Sequence, residues 1–222
     1  MLTSPYWRSD EVFTTGETPL ASAEGRPIET VTPERLAELC GSREHQGWAA
    51  RMSPYPYLTL ATLLERCSDR PRLLVLDRIQ YANNFGTMLR TAEVLGLDGC
   101  LVTDRGQCEM TAAIGRLSAG AAFHVPVARE EDLAAAIATL RAAGLSCFST
   151  DAATGDDCRR VDFAAPVAVV IGHEHEGVAP AITAACSATL TIPQRGRTQS
   201  LNAAASAAIL MHEMTRNVTR ET

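Results

Sequence analysis

No lysine occurs anywhere in the 222 residues; all 20 basic side chains are arginine. That excludes a phosphate-loop lysine of the Walker A kind and any Schiff base on a side-chain amine. Aromatic residues are scarce, at 5%. No apolar run approaches the roughly 18 residues that a membrane-spanning helix needs, and the start, MLTSPYWRSD, lacks the basic-then-apolar pattern of a secretory signal. The expectation is a cytoplasmic protein with no membrane partner. Cysteine occurs seven times, an odd count without any C-x-x-C spacing, which argues against a disulfide framework or a zinc ribbon and for reduced packing residues.

What is present is a globular composition, 46% hydrophobic and 21% charged, long enough to bury one substantial core with a small appendage. The net charge of −6 disfavours a surface that binds nucleic acid everywhere, because phosphate neutralisation drives such binding. It leaves room for a local arginine cluster, whose planar forks suit phosphate oxygens.

From about residue 72 onward, apolar runs alternate with helical spacings, the pattern of an α/β domain on a largely parallel sheet. RLLVLD (72–77), GCLVT (99–103), AAFHVPV (121–127), LSCFST (145–150), PVAVVIG (166–172) and ATLTIP (188–193) read as strands. Phe85, Met88, Leu89, Ala92 and Leu95 fall at helical spacing, as do Leu133, Ala136, Ile137, Leu140 and Ala143. A last, buried helix is expected from about Leu201 to Arg216. The first 70 residues differ, with β-like pieces EVFTT and RPIETV and a helix capped by Thr32 with Pro33 at its first position. A connector follows from 53 to 71, with a short helix around TLATLLERC.

Three Gly/Asn-bearing junctions sit where strands end, the place at which open α/β sheets bind ligands. In LDRIQYANNFGTMLRTA (76–92), Asn84 is placed to cap a helix from which Arg90 projects. A purely structural reading has Asn84 as a cap only and Arg90 paired with Glu93. In VVIGHEHEGV (169–178), His173 and His175 lie two apart, not at the i, i+4 spacing of a helical metal site, so no metal is expected. There the glycines let the backbone turn tightly beside a ligand, with one carboxylate as anchor, or the segment is an ordinary acidic loop. In LTIPQRGRTQSLNAAASAAILMHEM (190–214), a loop with Arg195 and Arg197 precedes Ser200, itself a natural helix cap. Ser200 lacks the glycine flanks of a hydrolase nucleophile elbow.

Taken together, N-x-G-x-x-x-R at 84–90, G-x-E-x-x-G at 172–177 and I-P…S-L-N at 192–202 resemble the three ordered motifs of the SpoU family of RNA ribose 2′-O-methyltransferases, TrmH-like members of the SPOUT superfamily. RLSAGAAFHVPV (116–127) is similar to a further segment of that family, and the resemblance runs over about residues 72–215. It implies an α/β, SPOUT-type parallel sheet with a C-terminal deep trefoil knot, a homodimer, and S-adenosylmethionine as cofactor. By motif match, Thr150, Gly172, Glu174, Gly177, Ile192, Leu201 and Ala203 would hold the cofactor. Arg90, Asn84, Glu174, Ser200 and Asn202 fall on catalytic and substrate-positioning positions, and Arg90, Arg116, Arg195 and Arg197 would meet RNA.

Two departures are visible: Tyr81-Ala82 stands where the family usually has Asp-Pro, and Gln194 replaces an apolar residue after I-P. Upstream, GRPIETVTPERLAEL…HQGWAAR (25–51) resembles the end of an RNA-recognition domain similar to ribosomal protein L30e. Residues 1–52 are therefore expected to be a short, truncated L30e-like region, followed by the connector and a methyltransferase domain over 72–222. The resemblance implies methylation of a ribose 2′-oxygen in structured RNA, rRNA favoured over tRNA; the alternatives are a tRNA substrate or a non-catalytic RNA- or cofactor-binding paralogue. A generic ATP- or NAD-binding protein is disfavoured, since G-x-G-x-x-G is absent along with lysine.

Overall fold

The structure, a computed structural model, describes residues 4–16, 28–163 and 166–216. Arg26 and Pro27, part of one expected β-like piece, lie outside the described residues. The chain divides into two units, residues 1–56 and 57–222.

Among the described residues, the smaller unit is a three-stranded sheet with one helix. Strand β1 (Ser9–Thr14) pairs in parallel with β2 (Ile28–Thr30) and antiparallel with β3 (Trp48–Met52). Helix α1 (Pro33–Cys40) begins where the sequence indicates: the Thr32 hydroxyl accepts from the Arg35 N–H, and proline occupies the first turn, where no N–H is needed. Its apolar stripe buries Leu36.

The larger unit runs α2 (Leu60–Arg66), β4 (Arg72–Leu76), α3 (Ala82–Val94), β5 (Gly99–Thr103), α4 (Ala112–Leu117), β6 (Val127–Glu130), α5 (Leu133–Ala142), β7 (Ser146–Thr150), β8 (Asp156–Asp157), β9 (Val167–Ile171), α6 (Pro180–Ala185), β10 (Ala188–Thr191) and α7 (Ala203–Thr215). Its seven strands form one sheet in the order β6-β5-β4-β9-β7-β10-β8, every pair parallel. Central strands covered on both faces must be apolar at every position. Accordingly, Leu73 to Leu76 of β4 and Val167 to Ile171 of β9 are all buried. Each such side chain contributes roughly 1.5–3 kcal/mol relative to exposure, and an aspartate at Val170 would strand an unpaired carboxylate among them.

Residues 57–71, expected as part of a connector, pack into this unit. Leu58 exchanges backbone hydrogen bonds with Val127 and Arg129, and Leu60 and Leu63 of α2 join the core formed by β4, β5, β7, β9 and α5. The sheet also contains β8, for which the sequence DAATGDDCRR gives no apolar signal.

Three local expectations are corrected. Segment 121–127 is not a strand: Ala119 and Gly120 turn through the left-handed region (φ 52° and 93°), residues Ala121–Phe123 form a 3-10 turn, and pairing starts only after Pro126, which has no N–H to give a ladder. Asn84 does not cap α3. The helix opens two residues earlier, with Tyr81 at the cap position and no side-chain cap bond. Nor does Ser200 cap α7, which starts at Ala203 because the Asn202 carboxamide oxygen accepts from the N–H groups of Ala204 and Ala205.

Candidate active site

The carboxyl ends of β9, β7 and β10, adjacent in the sheet, release the loops that build a cavity of about 240 Å³. Thr150 ends β7 and donates its hydroxyl to the Val170 carbonyl at 2.8 Å, tying the rim of β7 to β9. Gln194 Nε2 donates to the Ala152 carbonyl at 3.2 Å, tying the loop after β10 to the loop after β7. Thr150, Gly172, Glu174, Gly177, Ile192, Leu201 and Ala203 all line this cavity, and so does Ser200. Leu190 and Leu210, read from sequence only as strand and helix core, also line it.

The loop 172–177 closes tightly on itself. The Gly177 N–H donates to the His173 carbonyl at 2.9 Å, and His173 Nδ1 accepts from the N–H groups of His175 and Glu176, at 3.2 Å each. A Cβ on Gly172 would lie 2.1 Å from the Gly177 carbonyl carbon and the Val178 nitrogen, so the turn has no space for a side chain.

Three side chains from the three separated motifs form one hydrogen-bonded relay. Asn202 Nδ2 donates to Asn84 Oδ1 at 3.1 Å, and Asn84 Nδ2 donates to Glu174 Oε1 at 3.0 Å. The backbone N–H of Tyr81 donates to the same Glu174 oxygen and that of Gln80 to Oε2, both at 3.2 Å. Because Asn202 Oδ1 is held by the first turn of α7, the relay runs from that helix to the 172–177 loop through α3. Partial burial by itself would raise the Glu174 carboxyl. The donors from Asn84, its own backbone, Tyr81 and Gln80 outweigh that and hold it below the usual carboxylate range. Glu174 is therefore an ionised acceptor at neutral pH and a weak base.

A second clamp, on residues that sequence reasoning passed over, fixes the same loop. Asp77 follows β4 and is only 2% exposed. It accepts from the Ala179 N–H at 2.9 Å and from Arg78 Nε at 2.9 Å. Arg78 also donates Nη1 to Glu176 and Nη2 to the Gly177 carbonyl. Its bond to Asp77 and its pairing with Glu176 hold the guanidinium pKa above its usual value, and the same guanidinium lowers that of Glu176. A buried Asp at the end of an apolar strand was the available signal, since such a group needs partners. Among the described residues, the cavity lining includes the carboxylates Asp151, Glu174 and Glu176 and no arginine. Asp151 is held below its usual pKa mainly by the N–H groups of Ala153 and Thr154.

The remaining expected residues lie outside the cavity. Arg90 is exposed on α3, Arg116 on α4, and Arg195 and Arg197 on the loop 192–202. Among the described residues none of the four has an ion pair, so Arg90 is not paired with Glu93. Gly86, between Asn84 and Arg90, lets α4 approach: a Cβ there would lie 2.6 Å from the Leu117 Cβ.

A parallel α/β sheet with a ligand-sized cavity at its carboxyl edge, whose loops are joined by an Asn–Asn–Glu relay, defines a ligand-binding α/β protein of the open-sheet kind. The SpoU rRNA Methylase family model matches residues 71–212, and the chain belongs to that family. It is 35% identical over 88% of its length to an uncharacterized tRNA/rRNA methyltransferase of Synechocystis sp., of which it spans only 52%. To a Bacillus subtilis protein classed with the TrmH family of tRNA/rRNA methyltransferases it is 32% identical, covering 89% of this chain and 80% of the relative. Among solved structures it resembles the SpoU methyltransferase AviRb from Streptomyces viridochromogenes in complex with AdoMet (TM-score 0.77, 26% identity, covering 95% of this chain and 83% of that one). It also resembles the AdoMet-bound rRNA methyltransferase from Sinorhizobium meliloti (TM-score 0.83, 25% identity, covering 96% and 82%).

Proposed function

We propose that the protein transfers a methyl group from S-adenosylmethionine to a ribose 2′-hydroxyl in structured RNA, with rRNA favoured, in the cytoplasm and as a homodimer. The observation that carries this reading is the character of the cavity. Among the described residues, three carboxylates and no permanent cation line it, which disfavours the phosphates of ATP or NAD and suits a ligand bearing a positive sulfonium. The lining fits such a ligand in its other parts too, with Leu190, Ile192, Leu201 and Leu210 as apolar walls for a nucleoside and the backbone at Gly177, where a Cβ would meet nothing within 4 Å, open to close approach. Bound there, S-adenosylmethionine supplies an electrophilic methyl on sulfur.

The chain's own part is alignment and charge. The Asn202–Asn84–Glu174 relay holds the 172–177 loop against α3, with Ser200 at the cavity wall to orient the substrate's end of the site. Arg90, without an ion pair among the described residues, grips the phosphate next to the reacting ribose. Its charge lowers the pKa of the 2′-hydroxyl, whereas a guanidinium, which keeps its proton at any physiological pH, is a poor base. Arg116, Arg195 and Arg197 offer further charges to the RNA backbone. The relatives called tRNA/rRNA methyltransferases support an RNA substrate. The meeting of the 150–152, 172–177 and 192–203 loops at one cavity supports the trefoil-knot reading, and residues 1–52 serve as an L30e-like substrate region. Arg90→Ala tests the assignment: methyl transfer should fall to background while calorimetric binding of S-adenosylmethionine stays at the wild-type value. Loss of cofactor binding in that variant would contradict the assigned role.

A further inference from the structure

Eleven aromatic side chains are all this chain has, and among the described residues Tyr81 is the one aromatic among the large exposed apolar side chains, at 53% exposure. It occupies the cap position of α3 without making a cap bond, so helix initiation does not explain it. Its backbone N–H is spent on Glu174, and its hydroxyl lies 3.4 Å from His175 Nε2. The two rings meet edge to face, with centroids 6.3 Å apart and planes at 83°. His175 is itself exposed and lines the cavity. Two planar rings held at right angles beside the Asn84–Glu174 pair make a rigid corner open to solvent.

We propose that Tyr81 and His175 form a stacking platform for an unpaired nucleobase beside the ribose that the site methylates. The inference rests on the RNA methyltransferase reading above and adds a base-binding site to it. A flat base can stack on one ring while its edge meets the other, and stacking of this kind tolerates any base because each presents a π face. The chain has particular need of it. With a net charge of −6, the net electrostatic contribution to RNA binding is opposed by the chain's own carboxylates, so affinity independent of charge carries more weight.

The test uses the full-length protein, saturating S-adenosylmethionine, and a fluorescein-labelled 12-nucleotide single-stranded RNA of mixed sequence, read by anisotropy at two salt concentrations. An otherwise identical oligomer with abasic ribose throughout is the control. Tyr81→Ala should weaken binding of the base-bearing oligomer by about 5- to 150-fold at both salt concentrations, and Tyr81→Phe should retain most of the affinity. The abasic oligomer should bind wild type and Tyr81→Ala alike. Equal binding of the base-bearing oligomer by wild type and Tyr81→Ala would overturn the proposal. So would an equal loss on the abasic oligomer, a loss that tracks a change in sedimentation, or no measurable binding by the wild type. Failure of the wild type to bind S-adenosylmethionine in calorimetry would instead count against the methyltransferase reading itself, so the two failures are distinguishable.

Discussion

Replacing Asn84 by Asp changes one NH2 group into oxygen with no change of shape, and the relay predicts a large, pH-dependent cost. Asn84 Nδ2 donates to an ionised Glu174 at 3.0 Å. The substitution removes a hydrogen bond to a charged acceptor, worth about 1.5–3 kcal/mol, and sets two carboxylates at that distance, where the repulsion at an effective dielectric near 20 is about 5 kcal/mol. The pair escapes part of this by taking up a proton, so the net loss at pH 7.5 should be about 4 kcal/mol. Asn84→Ala leaves no second charge and should cost only about 2 kcal/mol. In the Asn84→Asp variant the shared proton raises the folded-state pKa of the pair above its unfolded value. The stabilisation that proton brings is fully present below the unfolded pKa of about 4 and is lost as pH rises through the folded value. The deficit against wild type should therefore shrink between pH 7.5 and pH 5, whereas that of Asn84→Ala should change little. Urea unfolding of the three proteins at both pH values measures this. Equal stability of the Asn84→Asp variant and wild type at pH 7.5, or a deficit independent of pH, would refute the relay.

The other predictions concern the loop and the thiols. Gly172→Ala places a Cβ 2.1 Å from the Gly177 backbone and should cost about 3 kcal/mol or more and abolish S-adenosylmethionine binding in calorimetry; near-wild-type affinity would show that the loop is softer than its geometry. Arg78→Ala leaves the buried Asp77 with the Ala179 N–H as its remaining donor among the described residues and should cost about 3 kcal/mol in thermal or urea unfolding. Because Arg78 sits at φ 61°, Arg78→Gly should be the milder change by about 0.5–1 kcal/mol, and the reverse order would contradict the backbone assignment. Burial pushes the thiol of Cys147 up to about 12 and those of Cys67 and Cys186 up to about 11. Native protein at pH 8 should therefore leave all three unalkylated by iodoacetamide over an hour, by peptide mass, and label them in urea.

Much of the parallel sheet was legible because its inner strands are buried on both faces. GCLVT, RLLVL and VAVVI carry unbroken apolar runs that admit few other readings. Edge elements were not. Strand β8 is two aspartates whose pairing with β10 is a backbone matter, and 121–127 carries the composition of a strand with the turn chemistry of Ala119-Gly120 and Pro126 against it. At the site, motif spacing named the residues that the cavity gathers, but it misread what two polar side chains do locally. Asn84 and Ser200 looked like helix caps because that is the commonest use of such residues near a helix start. Asn84 instead spends its amide on partners 90 and 118 residues away, which no local pattern can reveal. Of the Asp77–Arg78–Glu176 clamp, only Asp77 at the end of an apolar strand gave a local signal, and its partners at 176 and 179 were hidden for the same reason.

Transfer of labelled methyl from S-adenosylmethionine to unmodified rRNA and tRNA, assayed in parallel and followed by digestion to nucleosides, tests the central claim most directly. The account predicts label in a 2′-O-methylnucleoside, from the rRNA pool, with wild-type protein and none with Arg90→Ala. Label on a base, or no label in either pool from protein that binds the cofactor, would contradict it.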